Sequence, residues 1–324
     1  MGKHVLITRP IPDAGIALLK KKGLLVDVSE RDTLMPRKEL IRRLRAKKYD
    51  ALLSILTDHI DESVLKAGGA SLRVVANYAV GVDNIDLEAA KRHGVIVCNA
   101  AGDEISESVA EHAIALMFAL AHRIVEADEY ARRGHYVGWG PQLLLGTDLI
   151  GKTVGIVGVG AIGERVMRRL WDGFHIKLLY ANPRPNIVAE QKYGAKRMSL
   201  RALLRQADFV SLHLPLLPST HHLIGRKEFD VMKKTAYLVN TARGAIVDEA
   251  ALIDALRKKK IAGAALDVFE HEPRIPKALL AFSNVITTPH TASATIETRQ
   301  AMSRRAAENI VAALSGRKPK NRVV

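Results

Sequence analysis

The feature that most constrains the fold of this chain is a glycine-rich loop between a strand pattern and a helix pattern. A short apolar run at 153–157 leads into Gly158-Val159-Gly160-Ala161-Ile162-Gly163, and an amphipathic pattern at 161–171 follows. A strand, a Gly-x-Gly-x-x-Gly loop and a helix in this order form the fingerprint of dinucleotide-binding folds. Gly158 permits the tight turn, Gly160 lets the backbone approach a pyrophosphate, and Gly163 lets helix and strand pack closely. The helix start at Ala161 and Ile162 offers N–H groups to phosphates. The alternative, a plain tight turn, requires neither flanking element.

Short β-branched runs alternate with helical patterns along most of the 324 residues. This alternation predicts an α/β protein with two doubly wound parallel sheets, each covered by helices on both faces. The predicted strands lie at 4–8, 25–28, 50–54, 73–77, 95–99, 153–157, 176–181, 209–214, 236–240, 262–268 and 285–288. We expect a discontinuous domain of residues 1–100 and 290–324, and a continuous dinucleotide-binding domain of residues 101–289. One long helix is predicted at 106–132, with an apolar face broad enough to be buried between domains or subunits.

Composition excludes several classes of function. The formal net charge is +15, but the basic groups are scattered along predicted helices and aromatic residues make up only 5%. This argues against nucleic-acid binding. The longest mostly apolar stretch, 113–121, is too short to span a bilayer, so no membrane association is expected. A single cysteine, Cys98, excludes an internal disulfide and a cysteine-rich metal site, and no metal is expected. With no signal-peptide pattern at the start of the chain, these features favour the cytoplasm.

The second strand after the glycine loop bears on the choice of nucleotide. It ends at Tyr180-Ala181-Asn182-Pro183-Arg184, without the acidic residue that NAD-specific sites place there. The missing carboxylate removes repulsion against a 2′-phosphate, and Arg184 offers a positive partner. We therefore expect NADP(H) to be preferred. NAD(H) stays open, because Arg184 is equally compatible with a side chain that points into solvent.

Three polar side chains follow predicted strands of the same domain. Arg243 lies in Asn240-Thr241-Ala242-Arg243-Gly244, Glu272 in Glu270-His271-Glu272-Pro273, and His290 in Thr288-Pro289-His290. Ligands of open α/β sheets bind at the carboxyl ends of strands, so all three should meet there. A guanidinium suits a carboxylate, and a carboxylate beside an imidazole stabilises the imidazolium as an acid. The pattern assigns no chemistry to the remaining histidines considered, which are His213, His221, His222 and His271.

Five segments together resemble the D-isomer-specific 2-hydroxyacid dehydrogenase family over nearly the whole chain. They are Asn77-Tyr78-Ala79-Val80-Gly81-Val82-Asp83-Asn84-Ile85-Asp86, the glycine loop, 240–249, 266–273 and 288–290. The resemblance implies a Rossmann cofactor domain and a flavodoxin-like substrate domain, with the active site in the cleft. It implies that Arg243 binds the substrate, that His290 donates the proton and that Glu272 is its partner.

The same resemblance extends to binding residues. It implies that Asp267 contacts the nicotinamide side, with Thr241 and Ala242 also beside the cofactor, and that the Val80 and Gly81 backbone holds the substrate carboxylate. Leu53 ends a predicted strand, so it is a candidate for the substrate pocket, and core packing is the equally open alternative. A homodimer through the helix after residue 105 would explain that helix's broad apolar face.

Within the family the chain is most similar to glyoxylate and hydroxypyruvate reductases, which implies transfer of a hydride to a small 2-keto acid. The segment Thr291-Ala292 departs from the Ile-Gly or Leu-Gly common there, and Ala292 would narrow the space near the nicotinamide. Other acids, namely 3-phosphoglycerate, D-lactate or phosphite, remain alternatives. A nucleotide-sensing protein of the corepressor type is the alternative from a different class.

Overall fold

The computed structural model describes residues 2–324, which fall into two compact units. Unit 1 runs to Ile105 and includes Ala294–Val324, and unit 2 is Ser106–Ser293. The strands are β1 His4–Ile7, β2 Leu25–Val28, β3 Ala51–Ile55, β4 Val74–Tyr78, β5 Ile96–Cys98, β6 Thr153–Val157, β7 Lys177–Ala181, β8 Lys196–Arg197, β9 Phe209–Leu212, β10 Tyr237–Asn240, β11 Gly263–Leu266 and β12 Val285–Thr287. The helices are α1 Asp13–Lys21, α2 Arg37–Ala46, α3 Glu62–Gly68, α4 Leu87–Arg92, α5 Asp103–Ala121, α6 Ile124–Arg132, α7 Ala161–Phe174, α8 Ile187–Tyr193, α9 Leu200–Gln206, α10 Arg226–Phe229, α11 Glu249–Arg257, α12 Lys277–Leu280 and α13 Ile296–Leu314.

Unit 1 is built on a five-stranded sheet in the order β2-β1-β3-β4-β5, with every pairing parallel. This is the doubly wound order of flavodoxin-like folds. The C-terminal helix α13 returns to this unit and packs on α1 at Gly15. A Cβ there would lie 2.3 Å from the Ser303 carbonyl oxygen, so the close approach of the two helices requires glycine. Ser303 Oγ accepts from the Gly15 N–H at 3.0 Å and donates to the Pro12 carbonyl at 2.6 Å.

Unit 2 is built on a seven-stranded parallel sheet in the order β12-β11-β10-β9-β6-β7-β8. Counted within the unit this is 7-6-5-4-1-2-3, the Rossmann order with one more strand. One face is covered by a core that contains α5 and α7, and the other by a core that contains α9 and α11. Burial on both faces explains why the strands other than the exposed β8 are largely apolar runs. The prediction of two doubly wound parallel sheets is confirmed.

The prediction of one helix over 106–132 is wrong, because α5 and α6 are separate helices bent by 61°. The break lies at Arg123, whose φ of 52° is left-handed and cannot continue a helix. Among residues 2–324, no single helix meets the length and apolarity needed to span a membrane, although the bent pair of α5 and α6 meets them together. The apolar side of α5 is buried in the core of unit 2, as at Ala113 and Met117.

Candidate active site

The glycine loop lies where the strand order of unit 2 reverses, between β6 and β9. Gly158 has a φ of 92°, and a Cβ on it would lie 2.5 Å from the His213 carbonyl oxygen at the end of β9. A Cβ on Gly163 would lie 2.3 Å from the Gly158 carbonyl oxygen, so α7 begins in direct contact with the loop. Both positions therefore require glycine for packing. Reversal points of this kind are the ligand-binding crevices of doubly wound sheets.

The surroundings of Gly160 fit a dinucleotide. A Cβ on Gly160 would meet no atom within 4 Å. Gly160 is the N-cap residue of α7, and no side-chain hydrogen bond caps this helix. The backbone at the helix N-terminus is therefore open to close approach, as binding of a pyrophosphate requires. Thr241 Oγ1 and His213 Nδ1 are buried without a hydrogen-bond partner in the structure, and both residues follow strands at this edge. Burial lowers the pKa of His213 to about 4, so its imidazole is neutral near pH 7.

The end of β7 holds the glycine loop through Asn182. Its Oδ1 accepts from the Val159 N–H at 2.9 Å, and its carbonyl oxygen accepts from Arg197 Nε at 3.1 Å. Arg197 Nη2 also donates to the Pro183 carbonyl at 2.6 Å. Sequence reasoning missed Arg197, because it lies on the two-residue strand β8, which has no apolar pattern. Arg184, the cation that the sequence suggested, is exposed.

Glu272 and His290 are brought together at the same edge of the sheet. Glu272 Oε2 lies 2.9 Å from His290 Nδ1, and Glu272 Oε1 accepts from the Phe269 N–H at 3.1 Å. Burial pushes the pKa of Glu272 up, but the hydrogen bond and charge of His290, with smaller contributions from the Phe269 N–H and Arg243, bring it below its ordinary value. The ionised carboxylate therefore accepts from Nδ1–H and leaves Nε2 as the second nitrogen available for chemistry.

Arg243 follows β10 and starts a short 3-10 turn, Gly244–Ile246. Asn240 fixes this loop, because its Oδ1 accepts from the Ala242 N–H at 3.0 Å and its Nδ2 donates to the Arg243 carbonyl at 2.9 Å. A Cβ on Gly244 would lie 1.8 Å from the Phe269 carbonyl carbon. The Arg243 loop is thus packed on the loop that carries Glu272, whose pKa responds to the Arg243 charge.

Asp267, at the end of β11, is fully buried and holds the turn that carries His290. Its Oδ1 accepts from Thr288 Oγ1 at 2.6 Å and from the Thr291 N–H at 2.7 Å, and its Oδ2 accepts from the Ala292 N–H at 2.9 Å. The His290 N–H donates to the Asp267 carbonyl at 2.8 Å. These bonds stabilise His290 in a left-handed conformation, with a φ of 55°.

Unit 1 fixes the segment after β4 through two asparagines. Asn77 Nδ2 donates to the Gly81 carbonyl and Asn99 Nδ2 donates to the Val80 carbonyl, both at 2.9 Å. The Val80 side chain is exposed. Leu53 is fully buried in β3, paired with Ile7 on one side and Ala76 on the other, which favours core packing for its side chain.

A dinucleotide loop and a carboxylate, imidazole and guanidinium set, all at the carboxyl edge of one sheet, define a nicotinamide-dependent oxidoreductase. Residues 114–292 match the sequence model of the D-isomer specific 2-hydroxyacid dehydrogenase, NAD binding domain. A glyoxylate reductase from Aeropyrum pernix is 46% identical over 325 residues, covering 99% of this chain and 95% of that protein.

Solved structures of related proteins have the same fold over nearly the whole chain. A protein from Thermus thermophilus is 42% identical with a TM-score of 0.92, covering 99% of this chain and all of that one. An NADPH-dependent glyoxylate/hydroxypyruvate reductase from Sinorhizobium meliloti, in complex with NADP and malonate, is 30% identical with a TM-score of 0.86, covering 100% and 97% of the two chains. The chain belongs to the D-isomer-specific 2-hydroxyacid dehydrogenase family.

Proposed function

We propose that the protein reduces a small 2-keto acid, glyoxylate or hydroxypyruvate, to the 2-hydroxy acid, of D configuration where the product is chiral. The observation that carries the proposal is the Glu272–His290 pair, 2.9 Å apart, at the edge of the sheet that also bears the dinucleotide loop. The Aeropyrum and Sinorhizobium proteins, both named for reduction of glyoxylate, support this choice of substrate.

The three polar side chains divide the chemistry between them. A bound nicotinamide supplies the hydride for the keto carbon. Arg243 binds the substrate carboxylate with its planar guanidinium and polarises the keto oxygen. His290 donates its Nε2 proton to that oxygen, and Glu272 holds the ring by its other nitrogen and stabilises the charged form. Addition of a hydride to the keto carbon and of a proton to the keto oxygen would give the alcohol.

The neighbouring residues serve binding and position. We assign Gly158, Gly160, Gly163 and the start of α7 at Ala161 and Ile162 to the pyrophosphate. Thr241 and Ala242 belong beside the cofactor, and the buried Thr241 hydroxyl lacks a protein partner. Asp267, which the family resemblance assigns to the nicotinamide side, also positions His290 through the Thr291 and Ala292 N–H groups. Val80 and Gly81 supply backbone N–H groups to the substrate carboxylate.

We propose NADP(H) as the preferred cofactor. No acidic residue follows β7 at 182–184. Arg197 holds this segment through two carbonyl oxygens, so its guanidinium lies beside Asn182 and Pro183. With Arg184 in the same segment, two cations are available for a 2′-phosphate.

The remaining proposals concern assembly and location. We propose a homodimer formed through α5, α6 and the segment after them, because α6 has no buried residue in the single chain. The single cysteine is buried and in β5, where burial raises its pKa to about 12, so it is an unreactive core residue. A chain with one buried, unpaired cysteine suits a reducing compartment, and we propose the cytoplasm.

The test is the absorbance of the reduced nicotinamide, followed with glyoxylate or hydroxypyruvate and with NADPH or NADH in parallel. We expect turnover with both acids and a higher kcat/KM for NADPH than for NADH. Turnover only with another 2-keto acid would overturn the substrate assignment. Binding of the nucleotide without turnover of any 2-keto acid would favour a nucleotide-sensing role.

A further inference from the structure

Three potential metal ligands meet on the surface of unit 2, apart from the groups assigned to catalysis. His221 and His222 follow β9, and Glu270 follows β11. The ligand atoms of these side chains all lie within 4.8 Å of one another. His222 Nε2 lies 2.7 Å from Glu270 Oε1, and the two imidazole centroids are 4.0 Å apart. The sequence patterns assigned neither histidine a role.

Hydrogen bonds fix the backbone that carries both imidazoles. The His221 N–H donates to the Leu217 carbonyl at 3.0 Å, and the His222 N–H donates to the Ala245 carbonyl at 2.8 Å. His222 has a φ of 50°, a left-handed conformation that lets two consecutive side chains turn to the same side. Thr220 Oγ1 closes the turn by accepting from the Leu217 N–H at 2.8 Å. The turn itself is therefore fixed, which limits the conformational entropy lost on binding to that of the side chains.

The third ligand comes from a separate, equally fixed loop. The Glu270 N–H donates to Glu249 Oε1 at 2.8 Å, and Glu249 is itself buried at the start of α11. A surface ion pair between His222 and Glu270 would form without His221. The imidazole of His221 beside that of His222 is therefore not explained by the ion pair.

We propose that His221, His222 and Glu270 bind one divalent cation of the late first-row series, with Zn²⁺ as the reference ion. Two imidazoles and one carboxylate form the His₂Glu set that zinc accepts, with water in the fourth position. A tetrahedral Zn²⁺ holds its donor atoms roughly 3.3 Å apart, so small rotations of these side chains close the set. The ion would join the turn after β9 to the loop after β11, in which Glu272 follows two residues later.

The experiment is a titration of the tag-free full-length chain with Co²⁺, whose visible absorption reports tetrahedral coordination directly. We expect a band that saturates at one ion per chain and disappears when Zn²⁺ is added. His221→Ala removes one ligand and Glu270→Gln another, and each should weaken binding by more than about tenfold. His59→Ala, at an exposed histidine of unit 1, is the matched control and should titrate like the unaltered chain.

Two results would overturn the proposal. The first is a Co²⁺ titration without a saturable band, and the second is a band that survives both His221→Ala and Glu270→Gln, which would place the ion elsewhere. Circular dichroism of each variant establishes that the fold is retained, and using two ligand variants keeps the test decisive if one fails to fold. A shift of the Tm with Zn²⁺ that is lost in both variants would support the site independently of catalysis.

Discussion

The proposed proton donor, His290, has a strained backbone, since its φ of 55° is unusual for a residue other than glycine. Asparagine tolerates this region better than alanine, so His290→Asn removes the imidazole with the least disturbance of the turn. We expect kcat to fall by about 10²–10⁴-fold, as when a general acid is lost, while the nucleotide Kd stays unchanged. Steady-state kinetics and nucleotide titration together provide the measurement. A kcat within a few fold of the unaltered enzyme would show that another group donates the proton.

Arg197 is the residue on which the cofactor preference can be tested. Arg197→Ala removes a cation beside Asn182 and Pro183, so we expect the Kd for NADP⁺ to rise about tenfold or more. The Kd for NAD⁺, which lacks the 2′-phosphate, should change little. Arg205→Ala, at an exposed arginine in α9, is the control, and calorimetric titration with both nucleotides gives the values. An equal loss for both nucleotides would mean that Arg197 only supports the loop through the carbonyl oxygens.

Arg197 and Asp267 show why the site could be predicted only in part. Arg243, Glu272 and His290 follow apolar strands, and the ends of parallel strands converge, so the sequence could predict that all three lie at one edge of the sheet. Arg197 comes thirteen residues after Arg184 in the sequence. It reaches the end of β7 only because β8 pairs beside it. The role of Asp267 on the His290 turn depends on hydrogen bonds that no pattern of residue types reveals.

At the scale of elements, two glycines of the glycine loop differ in what they are needed for: Gly158 for packing and, as we propose, Gly160 for ligand binding. Gly158→Ala would place a Cβ 2.5 Å from the His213 carbonyl oxygen at a left-handed φ. We expect it to lower the free energy of unfolding by about 2 kcal/mol or more. Gly160→Ala meets no neighbour, so its effect on stability should stay within about 0.5 kcal/mol. Its Cβ would instead occupy the position that we propose for the pyrophosphate, so nucleotide affinity should fall.

Denaturant unfolding and nucleotide titration of both glycine variants provide the measurement. The proposal predicts different results for the two variants. Gly158→Ala should lower the free energy of unfolding, whereas Gly160→Ala should lower nucleotide affinity and keep the free energy of unfolding. Unchanged nucleotide affinity in Gly160→Ala would contradict the assignment of this loop to the pyrophosphate.

The N-terminus of α3 gives a stability that depends on pH. Burial raises the pKa of Asp61, but hydrogen bonds from Ser63, Arg37 and the Val64 N–H outweigh it and bring the pKa to about 2. A lowered folded-state pKa stabilises the protein above the ordinary value of 3.8, and this contribution is lost as pH falls towards 2. Asp61→Ala should therefore lower the free energy of unfolding by about 1 kcal/mol at pH 7. In urea unfolding at pH 7 and pH 3, a difference as large at pH 3 as at pH 7 would argue against the ionised cap.

The elements themselves were predictable where their patterns were long. Each predicted strand has a counterpart in the structure. Most of these strands are buried on both faces and stay apolar, whereas the edge strand β2 is only partly buried. The exposed two-residue strand β8 has no such pattern and was missed. The break between α5 and α6 was missed because Arg123, rather than glycine or proline, adopts the left-handed conformation. Its guanidinium is held by Glu126 through two hydrogen bonds of 2.8 and 2.6 Å, contacts that the sequence does not reveal.

At the scale of the whole molecule, the surface that bears on assembly is the segment from α6 to residue 150. Large hydrophobic side chains are exposed there at Ile124, Val125, Tyr136, Val137, Trp139, Leu143, Leu145 and Ile150. Val137 is 96% and Trp139 is 83% exposed, although unit 2 has a complete core of its own. Exposed hydrophobic side chains grouped in one segment favour a contact with another protein, and a second copy of the chain is the partner we propose.

Charge inserted into this segment should separate the copies. In a two-fold interface each substitution acts twice, so Val137→Glu introduces two buried charges per dimer and should shift the mass from twice 35.5 kDa towards 35.5 kDa. Ile187→Glu, at an exposed isoleucine of α8, is the matched control and should leave the mass unchanged. Sedimentation equilibrium over a range of concentrations decides between the two masses. A measured mass of 35.5 kDa for the unaltered protein would refute the dimer. A dimer unaffected by Val137→Glu would place the interface elsewhere.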